Sequence, residues 1–193
     1  MAGTIVNWSG TITTTEGLTQ CLELPAERSQ DLCTLYQYDA LGNTLVVTDA
    51  LGTMTRSFYD SLGRLEATVS NWDPASLSSP DDCALSPSNQ SGENLCTLYG
   101  YDAAGRQIST TNALSQTSLT VYDAAGRPFI SVANWDGSAI DEPGDCDFGP
   151  GSEQNLCTIT AYDSLGRRVS VTDPMSNTTR FQYDGLGLSL IHI

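Results

Sequence analysis

Residues 101–127 read YDAAGRQISTTNALSQTSLTVYDAAGR, and the organisation of this stretch extends to the whole chain. It begins and ends with the same six-residue motif, and the two copies lie 21 residues apart. Between them, Asn112-Ala113-Leu114-Ser115 is a second turn signal. Asp or Asn suits the first position of a β-turn and Gly the last. Turns every 10 or 11 residues leave room for strands of about 6 residues.

The Tyr-Asp motif recurs six times in the 193 residues, with Tyr-to-Tyr steps of 21, 42, 21, 40 and 21. Four copies end in a complete Gly-Arg, whereas Asn43 and Leu188 stand in place of Arg in the first and last copies. A residue that recurs in every unit is predicted to be structural, because turn chemistry already accounts for it. The predicted motif residues are Tyr38, Asp39, Gly42, Tyr59, Asp60, Gly63, Arg64, Tyr101, Asp102, Gly105, Arg106, Tyr122, Asp123, Gly126, Arg127, Tyr162, Asp163, Gly166, Arg167, Tyr183, Asp184 and Gly187.

A longer period of about 62 residues groups the motifs in pairs. Asn-Trp recurs at residues 7–8, 71–72 and 134–135, and each super-repeat holds one Asn-Trp, one cysteine pair and two Tyr-Asp motifs. The predicted domain is a repeat array over residues 1–187, with super-repeats at about 7–70, 71–133 and 134–187. Residues 188–193 resemble a translated sequencing adapter and are predicted to be a non-native tail. His192, the single histidine, lies in that tail and is given no functional role.

The segments between turns are rich in Thr, Val, Ile and Tyr, which suit a pleated surface. Leu65, Ala67 and Val69 alternate with polar residues, so one face is predicted to be apolar and the other polar. The predicted fold class is all-β, built from repetitive antiparallel β-hairpins. A single hairpin is too thin to bury its apolar face, so the hairpins are expected to stack on their neighbours.

Two long insertions replace the short connections after Asn71 and Asn134, and they consist largely of turn formers and acidic residues. Such segments are expected to be solvated loops that cannot pack by themselves. Six cysteines in a repeating frame indicate three disulfides, one within each super-repeat. The predicted pairs are Cys21 with Cys33, Cys83 with Cys96, and Cys146 with Cys157.

No cofactor is predicted for this chain. Structural zinc is disfavoured because the short Cys-x-x-Cys or His-x-x-x-His step is missing from the sequence. Calcium is the alternative for the acidic loops, since it takes six to eight oxygen ligands. No loop matches the spacing of a calcium-binding loop, however, so solvated carboxylates are the favoured interpretation.

The charge is strongly acidic, with 23 Asp and Glu against 8 Arg, no Lys and a formal net charge of -15. This balance excludes a phosphate-binding footprint, so no nucleic-acid partner is predicted. No membrane segment is present in the sequence. The nucleophile, metalloprotease and phosphate-loop motifs are also missing, and the carboxylates that a glycosidase would need are the repeated turn residues. The chain is therefore predicted not to be an enzyme.

The motif Tyr-Asp-x-x-Gly-Arg at a 21-residue step resembles the YD repeats of the Rhs family, which includes bacterial Rhs toxins, the shell proteins of toxin complexes and the teneurins. The resemblance implies a segment of a spiral β-sheet shell that encloses a C-terminal toxin or effector polypeptide. The implied partners are the neighbouring repeats of the parent chain and the enclosed toxin. It also implies a secreted or cell-surface location.

Two alternatives of other classes remain open. An extracellular adhesion array would bind glycans through the stapled acidic loops, and a carbohydrate-active enzyme would use the turn carboxylates. The complete sequence of the parent gene would discriminate between them. A toxin-like segment after the repeats favours the shell, and a membrane anchor or a wall-binding module favours the adhesin.

Overall fold

The structure is a computed structural model that describes residues 2–6, 32–84, 92–146, 151, 153–185, 187 and 189–192. At residues 2–6, 32, 33, 84 and 189–192 it describes the backbone. The chain divides into two compact units, Met1–Leu98 and Tyr99–Ile193, and the boundary falls within one strand. Each unit is an antiparallel β-sheet.

In the first unit, each strand pairs with the next one along the chain. The bounds are β1 (Ala2–Val6), β2 (Leu32–Tyr38), β3 (Thr44–Thr48), β4 (Met54–Tyr59), β5 (Leu65–Ser70) and the start of β6 (Leu95–Tyr101). A five-residue helix, α1 (Pro80–Ala84), lies in the insertion between β5 and β6.

The second unit repeats this arrangement from the end of β6 onward, and β7 to β13 pair in chain order. The bounds are β7 (Gln107–Thr111), β8 (Thr117–Tyr122), β9 (Pro128–Ala133), β10 (Leu156–Tyr162), β11 (Arg168–Thr172), β12 (Thr178–Tyr183) and β13 (Ser189–His192). A 3₁₀ turn at Pro143–Asp145 takes the place of α1 in the second insertion.

The predicted all-β hairpin fold is confirmed. Every strand from β2 to β12 has 5 to 7 residues, close to the length that the turn spacing predicts. All Tyr-Asp turns follow an even-numbered strand, so within each unit they lie at the same end of the strands. The second turns and the insertions lie at the opposite end of the strands.

Strand β13 contains Ser189–His192, which belong to the segment predicted to be a non-native tail. Its backbone pairs antiparallel with β12, with Gln182 opposite Ile191. Any sequence can form backbone hydrogen bonds of this kind, so the pairing does not show whether the segment is native. Its assignment as a non-native tail stays a prediction.

The core of each unit lies on the sheet face that the insertion covers. In the first unit Ala67 and Val69 are 0% exposed, and Leu77 of the insertion packs against Val69. In the second unit Ile130 and Val132 pack against Ile140 of the insertion. The insertions were expected to be solvated loops, and Leu77 and Ile140 correct that expectation. Burying a Leu or Ile side chain contributes about 1.5–3 kcal/mol, which fixes each insertion on its sheet.

Candidate functional site

The aspartate of each Tyr-Asp motif organises the turn that follows it. In the third copy, Oδ1 of Asp102 accepts hydrogen bonds from the backbone N–H groups of Ala104 and Arg106, both at 2.9 Å. Its second oxygen, Oδ2, accepts from Nε of Arg106 at 2.7 Å. The same set of bonds forms in the three other copies that end in Arg, at Asp60, Asp123 and Asp163. Each carboxylate is therefore held by its own turn and by its own arginine.

These hydrogen bonds stabilise the ionised form of the carboxylates. The backbone N–H of Arg106, more than any other contact, lowers the pKa of Asp102, and its side chain lowers it further. In the fourth copy the side chain of Arg127 is the main cause of the lowered pKa of Asp123. A carboxylate with a lowered pKa is a poor general acid or base near neutral pH. The turn aspartates consequently have the properties of structural groups.

The turn glycine adopts a conformation that side chains disfavour. Gly63 and Gly126 both have φ of 77°, in the left-handed region where a Cβ is strained. In each Tyr-Asp turn the glycine N–H donates to the aspartate carbonyl, as Gly126 does to Asp123 at 2.9 Å. Beside this turn the strand pairing shifts register, between Val121 and Tyr122. The glycine of the motif is thus required by backbone geometry.

The tyrosine connects each motif to the one before it. The guanidinium of Arg106 lies over the ring of Tyr122 at 4.5 Å, and the hydroxyl of Tyr122 donates to the backbone carbonyl of Gln107 at 2.8 Å. The same pair of contacts joins Arg127 to Tyr162 and Arg167 to Tyr183. In the first copy Asn43 replaces the arginine, but the hydroxyl of Tyr59 still donates to Thr44, at 3.0 Å.

Within the second unit, these contacts form a ladder in which each of the motif arginines Arg106, Arg127 and Arg167 has two partners. Each arginine pairs with the aspartate of its own turn and stacks on the tyrosine of the next motif. A motif therefore completes its contacts only when another motif follows it. This is the dependence on neighbours that defines a repeat array.

The second turns use the same carboxylate or amide contacts without the arginine. Asn112 Oδ1 accepts from the backbone N–H groups of Leu114 and Gln116, both at 3.0 Å. Asp49 and Asp173 form the equivalent bonds. The second turn signals that the sequence predicted are confirmed as turns.

Each insertion is closed at its base by a pair of asparagines. Asn71 and Asn94 both have positive φ, of 50° and 52°, and the backbone N–H of Asn94 donates to the carbonyl of Asn71 at 2.8 Å. Asn134 and Asn155 repeat the arrangement at 3.0 Å. Sequence reasoning missed Asn94 and Asn155. The signal was the recurrent Asn-Leu-Cys at residues 94–96 and 155–157.

Two of the three predicted disulfides are present. Cys83 is bonded to Cys96 and Cys146 to Cys157, with Cα separations of 5.8 Å in both pairs. The pairing of Cys21 with Cys33 lies outside the described residues because residues 7–31 are not among them. Each observed disulfide joins an insertion to the strand that follows it, as predicted.

Carboxylates in the insertions accept backbone hydrogen bonds. Asp145 Oδ2 accepts from the N–H groups of Asp141 and Glu142, both at 2.9 Å. Among the residues described, no three His, Cys, Asp or Glu side chains are grouped as metal ligands would be. In the same part of the chain, none of the helices has the length and apolar character needed to cross a membrane.

The second unit contains an open cavity of about 390 Å³ between its insertion and the sheet. Leu119, Val121 and Ile140 contribute apolar surface, and Trp135 and Asp141 lie on the insertion side. Asp102, Arg106 and Tyr122 of the ladder line another part of it. The sequence did not predict this cavity, because its lining comes from three segments, at residues 102–108, 119–122 and 135–141.

Known proteins share the repeat motif of this chain. The RHS Repeat family model matches residues 34–74, 101–139 and 162–190, more than half of the chain. The chain is 27% identical over 188 residues to double-stranded DNA deaminase toxin A of Burkholderia cenocepacia strain H111, covering 86% of this chain and 12% of that protein. It thus spans about an eighth of the length of this curated relative.

Solved structures share the fold. The crystal structure of TcdB2-TccC3-Cdc42 superposes with a TM-score of 0.60 at 17% identity, covering 84% of this chain and 7% of that chain. The Tc holotoxin pore of Photorhabdus luminescens superposes with a TM-score of 0.57 at 18% identity, covering 95% of this chain and 7% of that chain. At these identities the similarity concerns the fold alone.

Proposed function

Because this chain belongs to the RHS-repeat family, we propose that it is a structural segment of a YD-repeat shell that encloses a C-terminal toxin or effector polypeptide. The observation that carries the proposal is the ladder of arginine and tyrosine contacts in the second unit. In this ladder the arginine of one motif and the tyrosine of the next link one hairpin to the following one. Such a chain is suited to building an extended wall.

The proposed role is not catalytic. The curated relative is named a deaminase toxin, but this chain corresponds to 12% of its length. Zinc deaminases use a His-x-Glu together with a Pro-Cys-x-x-Cys segment, and neither occurs in these 193 residues. We assign to this chain the containing wall, and to another part of the parent protein the toxic activity.

The proposed location is outside the cell or at its surface. The two disulfides of the insertions support this placement, because such bonds persist in oxidising compartments. Their position on the insertions, with Cys157 fully buried, makes them part of the folded structure. Glycan binding by an adhesion array stays an alternative prediction of the sequence.

The proposal is tested on the complete protein that carries this chain. Limited proteolysis should leave a C-terminal segment uncleaved in the intact protein, whereas the same segment expressed alone should be cleaved rapidly. A variant with Gly63, Gly105, Gly126 and Gly166 all changed to Ala should lose this protection, and Gly185→Ala is the matched control. Cleavage at equal rates in the intact protein and in the isolated segment would exclude enclosure.

A further inference from the structure

The two units place equivalent residues around the base of their insertions. Residues 72–83 align with residues 135–146 without a gap, at an offset of 63. The backbone N–H of Trp72 donates to the carbonyl of Met54 at 2.8 Å, and that of Trp135 donates to Thr117 at 2.7 Å. The two tryptophans therefore hold the same position, and the residues around them can be compared one by one.

In the first unit, an arginine of the chain itself lies beside this tryptophan. The guanidinium of Arg56 is 4.8 Å from the ring centroid of Phe58 and 5.7 Å from that of Trp72. Arg56 pairs with Val69 across the sheet, on the face that the insertion covers. Stacking on aromatic faces suits the planar guanidinium, which is weakly hydrated.

The second unit lacks an arginine at that position. Leu119 takes the place of Arg56 and pairs with Val132, and Val121 takes the place of Phe58. Both replacements are smaller, and the cavity of about 390 Å³ lies there, beside Trp135. Its volume is within the range of about 300–1,000 Å³ that is typical of ligand sites.

The charged residues around the two tryptophans also differ: where the second unit lacks the positive charge, it carries an additional negative charge. Ser78 of the first insertion corresponds to Asp141 in the second, and Asp141 lines the cavity. The other charged groups of the lining are Asp102 and Arg106, which balance each other in an ion pair of 2.7 Å. The second unit therefore lacks the internal cation of the first unit and has a carboxylate at the same place.

We propose that the cavity beside Trp135 binds an arginine side chain of another polypeptide, in the position that Arg56 occupies in the first unit. The aliphatic part of the incoming side chain would lie on Leu119, Val121 and Ile140. Its guanidinium would stack on Trp135 and approach Asp141. The cavity is open, so the backbone of the bound polypeptide stays outside. This inference is independent of the shell proposal, since it requires only the second unit.

Calorimetric titration of the 193-residue chain with capped tripeptides tests the site. Acetyl-Ala-Arg-Ala-amide should bind with a stoichiometry of one and a dissociation constant on the order of 1 mM, as expected for a single side chain. The matching peptide with citrulline, which has the same shape without the charge, should bind at least about tenfold more weakly. Equal binding of both peptides, or no binding of the arginine peptide at about 20 mM, would overturn the proposal.

Variants locate the binding. Leu119→Arg supplies the internal arginine and should abolish binding. Asp141→Ser copies the first insertion at an exposed position and should weaken binding roughly two- to fivefold, as for a surface ion pair. The second variant keeps the test decisive if the first does not fold. Unchanged affinity in Asp141→Ser together with retained binding in a folded Leu119→Arg would also overturn the site.

A reciprocal variant tests whether the comparison of the two units is correct. Arg56→Leu combined with Phe58→Val and Ser78→Asp copies these positions of the second unit into the first. We expect the stoichiometry of the arginine peptide to rise from one to two, provided that circular dichroism shows an intact β-fold. A folded triple variant that still binds a single peptide would contradict the assignment of Arg56 as the internal occupant.

Discussion

The turn glycines have a backbone conformation that other residues adopt only with strain. At Gly63 nothing lies within 4 Å of an added Cβ, so a substitution there causes no steric clash and measures only the strain of the backbone conformation. Gly63→Ala and Gly126→Ala should each lower the free energy of unfolding by about 1 kcal/mol. The double variant should lose about 2 kcal/mol, because the two glycines belong to separate turns. Urea unfolding measures each value.

Gly185 provides the matched control. It lies in the sixth motif at the position where Ala40, Ala103 and Ala124 stand in other copies, and no atom lies within 4 Å of an added Cβ. Gly185→Ala should leave stability unchanged or raise it slightly. If it were as destabilising as Gly63→Ala, the cost would not come from positive φ.

The turn aspartates predict how stability depends on pH. Hydrogen bonds from the backbone and from arginine lower the pKa of Asp60, Asp102 and Asp163 below 3.8 in the folded chain. Their stabilising contribution is complete above the pKa of the unfolded chain, and it is lost as the pH falls from about 4 through the lowered values. Thermal melts should therefore show a falling melting temperature below about pH 4.

Asp102→Asn separates this effect from the general loss of charge on acidification. Asn retains the acceptor for the turn N–H groups but does not titrate, so the fall in melting temperature below pH 4 should be shallower than in the parent chain. An identical profile for Asp102→Asn and the parent would contradict the assignment.

At the scale of elements, successive hairpins are joined by the tyrosine of one motif and the arginine of the preceding motif. Tyr122→Phe removes the hydrogen bond to Gln107 and should cost about 0.5–1.5 kcal/mol. Tyr122→Leu also removes the ring below Arg106 and should cost about 0.5–1 kcal/mol more. Denaturant unfolding gives both differences.

Tyr59 is the matched control for this ladder, since Asn43 stands where the other copies have arginine. Its hydroxyl donates to Thr44 as Tyr122 donates to Gln107. The Phe variants at both positions should lose equal stability, and the step from Phe to Leu should be smaller at Tyr59. If the change from Phe to Leu cost the same stability at both positions, ring packing and not the arginine cation would join the hairpins.

The disulfides make each insertion part of its sheet. The bond between Cys146 and Cys157 spans 11 residues, and closing a loop of this size stabilises by roughly 3 kcal/mol in the chain-entropy model. Cys146→Ala with Cys157→Ala should therefore lower stability by about that amount. Addition of a reductant should destabilise the parent chain and affect this variant less.

Peptide mapping without reductant checks the connectivity. It should recover Cys83 with Cys96, Cys146 with Cys157, and the still predicted pair of Cys21 with Cys33. Free thiols, or bridges between super-repeats, would contradict the framework.

For the whole molecule, charge is the dominant property. A net charge of -15 arises from 23 acidic and 8 basic residues, and self-repulsion of this kind destabilises a compact chain. Raising NaCl from about 20 mM to 500 mM shortens the Debye length from about 20 Å to about 4 Å. The melting temperature should rise by a few degrees. KCl should act equally if screening is the cause, and a fall would show that the exposed arginine–aspartate pairs outweigh the repulsion.

The sequence alone determined the repeats, the strand lengths, the turns and the two disulfides that the structure describes. These features depend on residues that are close along the chain: an aspartate hydrogen-bonds N–H groups two and four residues later, and a glycine sets the φ of its own position. Interactions between such close neighbours can be predicted from the order of the residues alone. The alternation of Ala67 and Val69 with polar neighbours likewise predicted which face is buried.

Tertiary structure decided the contacts between segments that are distant in the sequence. The stacking of Arg127 on Tyr162 spans 35 residues, and the burial of Ile140 against Ile130 depends on how the insertion folds back over the sheet. The cavity beside Trp135 depends on Leu119, which is an ordinary strand residue until the pairing of β8 with β9 places it below the insertion. Register and the path of the insertion are properties of the assembled sheet, because each depends on packing that no short stretch of residues contains.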